Sequence, residues 1–446
     1  MATSLKANSY LRNLSTTGFG VIVTTVISVL TTPLLSRLFT PEAYGIAGFY
    51  SQSIAYLGLL IGLMLPSALV VVRRSGVLYR LISAIKTLWI IGLVAVGAIC
   101  FLLGGFIQEV LNDTSDGRWL LLLPLGLFSG QIFEFATSLN VRAADFKTNV
   151  KLNISSSILV RGFTLLGGWW FAGNYLALVI PTLLKVIPVW FFQHRKNLAK
   201  AWHIPPSLEY LRSTLRDLKE YPRYILSANL LGLAAQSAPF FILTILQTPR
   251  LAGLYLFAES MLLIPIRLVH KAVTPVYLQE ISVSYHEAAD EFRRRSRQTN
   301  HLLFLVGVVP YAVVAIFGAE IFSWVFGQDW FDSGLMAQYL AVFALFRLCT
   351  SPLSAIYRVA EKEHYALRSQ IVLFLLRCLP LAFGLYFLPL LDALLCFALG
   401  SMLGYWFHFY QVSRIGAFPF ARILLKQIML FILFCGVLWL LKDIYT

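Results

Sequence analysis

Long stretches without a charged side chain recur along this chain of 446 residues, and they restrict its fold more than any other feature. The stretches 13–36, 43–72 and 224–249 contain no Asp, Glu, Lys or Arg. A helix needs about 20 mostly apolar residues to cross the hydrocarbon core of a membrane. Such runs predict membrane-spanning helices and leave little room for the alternating pattern of a barrel strand.

The composition supports the same interpretation. Hydrophobic residues make up 58% of the chain and charged residues only 13%, whereas a soluble domain has about 25% charged residues. A soluble protein cannot bury so much apolar surface. The five cysteines lie in apolar stretches without metal-ligand spacing, so we expect neither a metal site nor disulfides. The chain is predicted to be an all-α polytopic membrane protein.

Thirteen segments are apolar enough to span a membrane, although the last carries Lys426 and Gln427 near its start. The first segment lacks the cleavage pattern of a signal peptide. The predicted segments are 14–36, 46–72, 81–105, 119–140, 151–171, 174–192, 224–246, 251–278, 301–326, 334–358, 366–388, 391–412 and 423–441.

The charge of the chain is unbalanced, with 36 Lys and Arg against 21 Asp and Glu. If the N-terminus is cytoplasmic, most of the basic residues fall in cytoplasmic loops, as the positive-inside rule predicts. We therefore expect a multi-pass membrane protein with a cytoplasmic N-terminus. Most of the basic excess then reflects topology and gives no reason to expect a nucleic-acid partner.

Four regions are predicted along the chain: a six-helix half (1–196), a cytoplasmic connector (197–223), a second six-helix half (224–412) and a C-terminal extra helix (413–446). In the connector, Leu208, Leu211, Leu215 and Leu218 recur every three or four residues. This spacing predicts an amphipathic helix lying on the inner membrane surface.

An internal repeat relates the two halves. The segments 40–49 and 248–257 share Thr, Pro, Gly and Phe at the same four positions, and both precede the second helix of a half. Both halves begin with a helix that runs from inside to outside. This arrangement predicts two parallel six-helix repeats, as in transporters that bind substrate between their halves and alternate its access.

Ionisable residues inside spanning helices are costly and commonly mark functional sites. Here the cations outnumber the carboxylates, so the interior should attract an anion such as a phosphate or a sugar carboxylate. Three of the basic residues share one face of the eighth helix by their spacing. The basic residues are Arg161, Lys185, Arg267, His270, Lys271, Arg347 and Arg377, and the carboxylates are Glu134 and Glu259.

Alternative interpretations of these residues stay open. Lys185 and the three basic residues of the eighth helix either bind a ligand or extend to the inner membrane interface. Arg161 and Arg377 either face a cavity or pair with Glu134 or backbone carbonyls. The two carboxylates either bind a proton or a sodium ion or neutralise an arginine.

The segments Arg12–Leu14 and Pro33–Gly45 resemble the opening signature of polysaccharide (O-antigen) flippases of the Wzx type. Val325–Phe331 resembles the outer turn in the second half of the same family. These flippases belong to the MOP superfamily, with the multidrug MATE exporters and the lipid II flippases. The resemblance covers nearly the whole chain, but it rests on turn and packing residues, which specify fold better than substrate.

The resemblance implies a MATE-like, V-shaped bundle with a cationic cavity and no catalytic residues. It implies transport of undecaprenyl-pyrophosphate-linked oligosaccharide repeat units from the cytoplasmic to the periplasmic leaflet, for O-antigen or a similar surface polysaccharide. No cofactor is implied, although a proton or sodium gradient drives some members. The implied partners are this lipid-linked glycan, membrane lipids, a polysaccharide polymerase and a chain-length regulator. The family's usual even number of helices leaves the side of this chain's C-terminus open.

On this interpretation, Arg267, His270 and Lys271 hold the pyrophosphate. The other substrate-binding candidates are Arg161, Arg347 and Arg377, which would line the sugar path, and Lys185; the ion-coupling candidates are Glu134 and Glu259.

Two other functions remain as alternatives. A cation-coupled exporter of small molecules predicts a net acidic interior, which is the opposite of the interior found here. An integral polysaccharide polymerase or ligase predicts a large outer loop or a paired histidine and acid, and the sequence shows neither.

Overall fold

The computed structural model describes residues 2–72, 74–110, 117–193, 197–287, 289–416 and 418–445, so the predicted boundary at residue 196 lies outside the described residues. Short 3₁₀ or π turns occur at Ile180–Lys185, Tyr221–Ile225, Gln328–Trp330 and Ser351–Ser354. The α-helices are α1 (Ala2–Leu38), α2 (Pro41–Gly62), α3 (Leu65–Val71), α4 (Ser75–Val110), α5 (Arg118–Arg142), α6 (Phe146–Trp170), α7 (Leu176–Val179), α8 (Val186–Gln193), α9 (Asn197–Trp202), α10 (Leu208–Asp217), α11 (Leu226–Leu246), α12 (Pro249–Glu287), α13 (Ala289–Phe326), α14 (Phe331–Thr350), α15 (Ala355–Val359), α16 (Glu363–Phe387), α17 (Leu390–Gly416) and α18 (Phe420–Tyr445).

Twelve helical segments in the described part of the chain are long and apolar enough to cross a membrane. They correspond to every predicted segment except 151–171. That segment lies in α6, which has 25 residues but also carries Lys147, Lys151 and Arg161. Large apolar side chains such as Phe101 and Trp324 are more than three-quarters exposed, as expected where lipid is the solvent. The prediction of an all-helical, multi-pass membrane protein is confirmed.

The predicted second segment, 46–72, is not one continuous helix. Helix α2 ends at Gly62, and Leu63 and Met64 adopt positive φ angles of 45° and 58°. Helix α3 then begins at Leu65, with Pro66 in its first turn. Proline has no amide hydrogen to donate, so a helix readily restarts at such a residue. Hydropathy alone did not reveal this break, because both sides of it are apolar.

The Thr-Pro turn that recurs in the two halves begins a helix in each of them. The Thr40 hydroxyl accepts a hydrogen bond of 3.3 Å from the Ala43 amide and caps α2. Helix α2 begins at Pro41, and α12 begins in the same way at Pro249, directly after the second copy of the threonine. Proline is favoured at the first helical position because its amide would be unpaired there in any case.

The chain divides into two compact units, one comprising the chain up to Leu233 with residues 248–250, and the other comprising 234–247 with the chain from Leu251 onward. In the first unit, α5 packs against α2, α3, α4 and α8, and α1 packs against α6. The Gln131 side chain of α5 accepts a hydrogen bond of 3.2 Å from the Trp89 indole and donates one of 3.0 Å to the Gly58 carbonyl. These buried bonds fix α5 against α2 and α4.

The connector helix α10 packs against α4. Arg80 forms an ion pair of 3.1 Å with Asp217, and Leu211 is buried. The Lys86 ammonium donates to the carbonyls of Trp202 and Ile204 at 2.7 and 2.5 Å. The apolar face that the sequence assigns to the membrane surface therefore has a protein partner in α4, although Leu208 at its edge stays exposed.

In the second unit, α14 packs against α13 and α17, α16 packs against α17, and α18 packs mainly against α13. Helix α18 corresponds to the predicted thirteenth segment. Lys442 near its end forms an ion pair of 2.5 Å with Glu320 of α13. The fully buried Trp330 packs against Phe257, with the two ring centroids 4.0 Å apart.

Helices α13 and α14 cross at two glycines, and this crossing gives a stability prediction. A Cβ atom on Gly334 would overlap the Gly318 carbonyl oxygen, and one on Gly318 would lie 2.7 Å from the Gly334 carbonyl oxygen. Because these are backbone atoms, Gly334→Ala should force the helices apart and cost about 1–3 kcal/mol. The change is measured as a lower thermal unfolding temperature in detergent.

The matched control is Gly436→Ala in α18, where an added methyl group would have no described atom within 4 Å. That variant should unfold at or slightly above the wild-type temperature, because alanine favours helix more than glycine does. Equal unfolding temperatures for the two variants would contradict the close crossing.

Candidate functional site

Helix α12 presents three basic side chains inside a membrane-spanning segment. Arg267, His270 and Lys271 are all exposed, within the span Pro249–Ser282. Arg267 donates a hydrogen bond of 3.3 Å to the Ser260 carbonyl oxygen, and His270 Nδ1 lies 3.2 Å from the Thr274 hydroxyl. Within the described residues, none of the three forms a salt bridge. The positive ends of Arg267 and Lys271 therefore remain available to an anion.

Arg347 of α14 belongs to the same charged region, because it acts electrostatically on both Arg267 and His270. One of its terminal nitrogens donates to the Gln236 side-chain oxygen at 3.2 Å. The other is buried and has no hydrogen-bond partner among the described residues. We call Arg267, His270, Lys271 and Arg347 the basic cluster. It lies entirely in the second unit.

Arg377 and Glu259 form a buried ion pair in the same unit. The Arg377 guanidinium donates to Glu259 at 3.0 Å, and the two side chains are 0% and 9% exposed. The guanidinium lies 5.5 and 5.1 Å from the ring centres of Phe343 and Phe397. Of the alternatives that the sequence left open, this geometry favours mutual neutralisation for both residues. Neither is accessible from the surface in this arrangement, so their substrate and ion roles stay predictions.

The predicted residues of the first unit lie on different structural elements. Arg161 on α6 donates to the Thr31 hydroxyl of α1 at 2.9 Å. Lys185 ends the 3₁₀ turn Ile180–Lys185 and is half-buried. Glu134 on α5 is exposed, and the described part of the chain offers it no ion pair. No hydrogen bond or salt bridge found among the described residues joins these three side chains.

Several polar contacts were missed at the sequence level. Gln236, which accepts a hydrogen bond from Arg347, is a polar residue within the charge-free stretch 224–249. Its position in an apolar stretch could have predicted a polar partner inside the membrane. In the first unit, Asn140 donates to Asn149 at 2.8 Å and accepts from Gln193. All three side chains are buried. Asn and Gln residues in apolar helices therefore indicate internal hydrogen bonds, which charged residues alone do not reveal.

Residues 34–334 match a protein family described as "Polysaccharide biosynthesis protein", and this match covers well over half of the chain. The chain belongs to this polysaccharide biosynthesis family. The family prediction, which rested on Arg12–Leu14, Pro33–Gly45 and Val325–Phe331, is therefore confirmed. Comparison with curated proteins found no match.

Comparison with solved structures identifies the fold of this polysaccharide biosynthesis protein. A multidrug resistance MATE family transporter of the MOP superfamily, in an inward-facing conformation, is similar with a TM-score of 0.67 and 14% identity, over 88% of this chain and 95% of that one. The lipid II flippase MurJ, in an inward closed conformation, is similar with a TM-score of 0.66 and 12% identity, over 96% and 99%. A mutant of the Vibrio cholerae MATE transporter VcmN is similar with a TM-score of 0.59 and 13% identity, over 92% of this chain and 97% of that one. The predicted MATE-like helical fold is confirmed.

Proposed function

We propose that this protein is a flippase for undecaprenyl-pyrophosphate-linked oligosaccharide repeat units. It would move them from the cytoplasmic to the periplasmic leaflet of the bacterial inner membrane, for assembly of O-antigen or a similar surface polysaccharide. The observation that carries the proposal is the basic cluster within the spanning segments of the second unit, whose cations form no salt bridge among the described residues. Membership of a polysaccharide biosynthesis family supports the same cargo class.

The physical argument starts from the cost of charge in a membrane. An exposed cation at membrane depth that faced lipid would be strongly unfavourable, so such residues face water-filled cavities or their ligands. Arg267, Lys271 and Arg347 supply cations to one such region, and no salt bridge to any of them occurs among the described residues. A pyrophosphate carries several charged oxygens and accepts bidentate hydrogen bonds from arginine.

The remaining parts of the proposal follow from this binding mode. The polyprenyl tail stays in the lipid while the pyrophosphate and the sugars cross through the protein, with the N-terminus on the cytoplasmic side.

Glu134 is the better placed of the two carboxylates for coupling to a proton or sodium gradient, because it is exposed whereas Glu259 is paired. A solved protein of similar fold is described as a lipid II flippase, which agrees with a lipid-linked cargo. A polymerase and a chain-length regulator would act on the delivered units.

The proposal predicts that the purified protein, reconstituted in liposomes, exposes a labelled undecaprenyl-pyrophosphate oligosaccharide to a membrane-impermeant sugar oxidant. We expect the accessible fraction to rise well above that of protein-free liposomes. In a parallel sample without oxidant, the mass of the recovered lipid should stay unchanged. An unchanged accessible fraction would remove the flippase proposal. A change in the mass of the lipid would instead favour a polymerase or a ligase.

A further inference from the structure

A second basic region of the second unit lies outside the basic cluster. A cavity of about 670 Å³ opens between the first part of α13 and the beginning of α18. None of the residues of the basic cluster lines it. We call it the α13–α18 pocket, and its basic lining residues are Arg293, Arg294, Arg297, His301, Arg422 and Lys426.

Only part of this charge is neutralised. Arg293 pairs with Asp290 at 3.2 Å, and Arg294 pairs with Glu291 at 2.8 Å. Arg297, Arg422 and Lys426 are exposed, and none of them has an ion pair or a hydrogen bond among the described side chains. The pocket therefore has at least three uncompensated positive charges, contributed by two helices that are distant in sequence.

The floor of the pocket is fixed by buried polar contacts. The Gln427 amide of α18 donates to the Asn300 side-chain oxygen of α13 at 2.7 Å, and Asn300 donates to the Cys349 carbonyl oxygen at 3.2 Å. Phe304 is buried at the same surface. Because α18 is held to α13 at this level, the cations on the two helices are positioned before any ligand binds.

The surface next to the pocket is apolar. Helices α13 and α18 run in the same direction, since Asn300 meets Gln427 near their starts and Glu320 meets Lys442 near their ends. The turns that follow the pocket therefore lie nearer the middle of the apolar spans on both helices. Large apolar side chains are exposed beside the pocket and along these turns: Leu302, Leu305 and Val306 on α13, and Leu425, Met429 and Ile432 on α18.

We propose that the α13–α18 pocket binds the phosphate headgroup of an anionic membrane phospholipid, whose acyl chains lie along the exposed apolar turns of α13 and α18. Arginine and lysine bind phosphate oxygens through charge-assisted hydrogen bonds. Basic pockets between spanning helices on the cytoplasmic side suit such headgroups. The combination of free cations at the pocket and exposed apolar surface beyond it matches a lipid better than a soluble anion. The proposal does not depend on the transported cargo.

The experiment is a lipid titration of the full-length protein in neutral detergent, followed by native mass spectrometry. Cardiolipin is the anionic probe, phosphatidylcholine is the lipid without net charge, and inorganic pyrophosphate is the soluble anion. The wild type should retain cardiolipin in preference to phosphatidylcholine, and excess pyrophosphate should displace it poorly. The triple variant Arg297→Gln, Arg422→Gln, Lys426→Gln should bind cardiolipin at least about tenfold more weakly.

Two variants make this test specific. Arg212→Gln, Arg216→Gln, Lys219→Gln removes the same charge from three exposed positions of the connector, and it should bind cardiolipin like the wild type. Arg297→Lys, Arg422→Lys, Lys426→Arg keeps the charge of the pocket and should retain most of the binding. Equal cardiolipin affinity in the pocket and connector triple variants would overturn the proposal. Displacement of cardiolipin by pyrophosphate at similar concentration would also overturn it, because the site would then bind a soluble anion.

Discussion

The double variant Arg267→Gln, Lys271→Gln is expected to lose nearly all flipping of the lipid-linked oligosaccharide in liposomes. Both side chains are exposed within a spanning segment and have no salt bridge in the described part of the chain. A hydrogen bond to a charged group contributes about 1.5–3 kcal/mol. Losing two such bonds to a pyrophosphate should therefore reduce transport by about 100-fold or more at subsaturating cargo. The rate is measured by oxidant accessibility, and surface polysaccharide in cells should fall with it.

Matched controls separate cargo binding from a general effect of charge. The variant Arg358→Gln, Arg368→Gln removes two exposed arginines from the same unit outside the basic cluster, and its transport should stay near the wild-type rate. Exchange of the two cations, Arg267→Lys with Lys271→Arg, should restore a large part of the activity because the charge is kept. Normal transport by the double glutamine variant, at normal protein level, would rule out this assignment of the basic cluster.

Replacement of Arg377 by methionine is expected to give the largest loss of stability. It removes the partner of Glu259 and leaves that largely buried carboxylate without a positive charge beside it. Breaking one side of a buried ion pair commonly costs about 3–5 kcal/mol, because the remaining charge is neither solvated nor paired. The loss is measured as a lower free energy of unfolding in a denaturant titration of detergent-solubilised protein.

Comparison with a double variant tests the origin of this loss. The variant Glu259→Leu, Arg377→Met removes both charges, and it should be much more stable than Arg377→Met alone because no buried charge remains unpaired. If the two variants lost equal stability, the effect of Arg377 would come from its packing against Phe343 and Phe397 and not from the ion pair. In that case Glu259 would be available again as an ion-coupling candidate.

Much of the architecture was predictable from the sequence. The spanning segments were found because hydropathy is summed over about 20 consecutive residues and does not depend on distant contacts. The repeated turn placed Pro249 just before the predicted segment 251–278, and α12 begins at this residue, since proline acts locally at the first helical position. The break at Leu63 and Met64 was missed, because it leaves the local hydropathy unchanged.

The basic side chains themselves were also evident in the sequence, but their partners were not. Arg377 meets Glu259 across 118 positions of the chain, and Arg347 meets Gln236 across 111. Such pairs depend on how each helix is rotated about its axis and on which neighbour it packs against. Spacing within one helix contains no information about either quantity.

The sequence by itself therefore determined a multi-pass helical protein, its family and the set of membrane-embedded charges. Only the tertiary structure decided which of these charges are free. Arg267 and Lys271 stay exposed, whereas Arg377 is enclosed with a carboxylate and two aromatic rings. The α13–α18 pocket likewise depends on the packing of two helices, in which Gln427 meets Asn300, 127 positions away. The physical reason is that hydrophobicity places a helix in the membrane, while the packing of neighbouring helices decides which of its faces is buried.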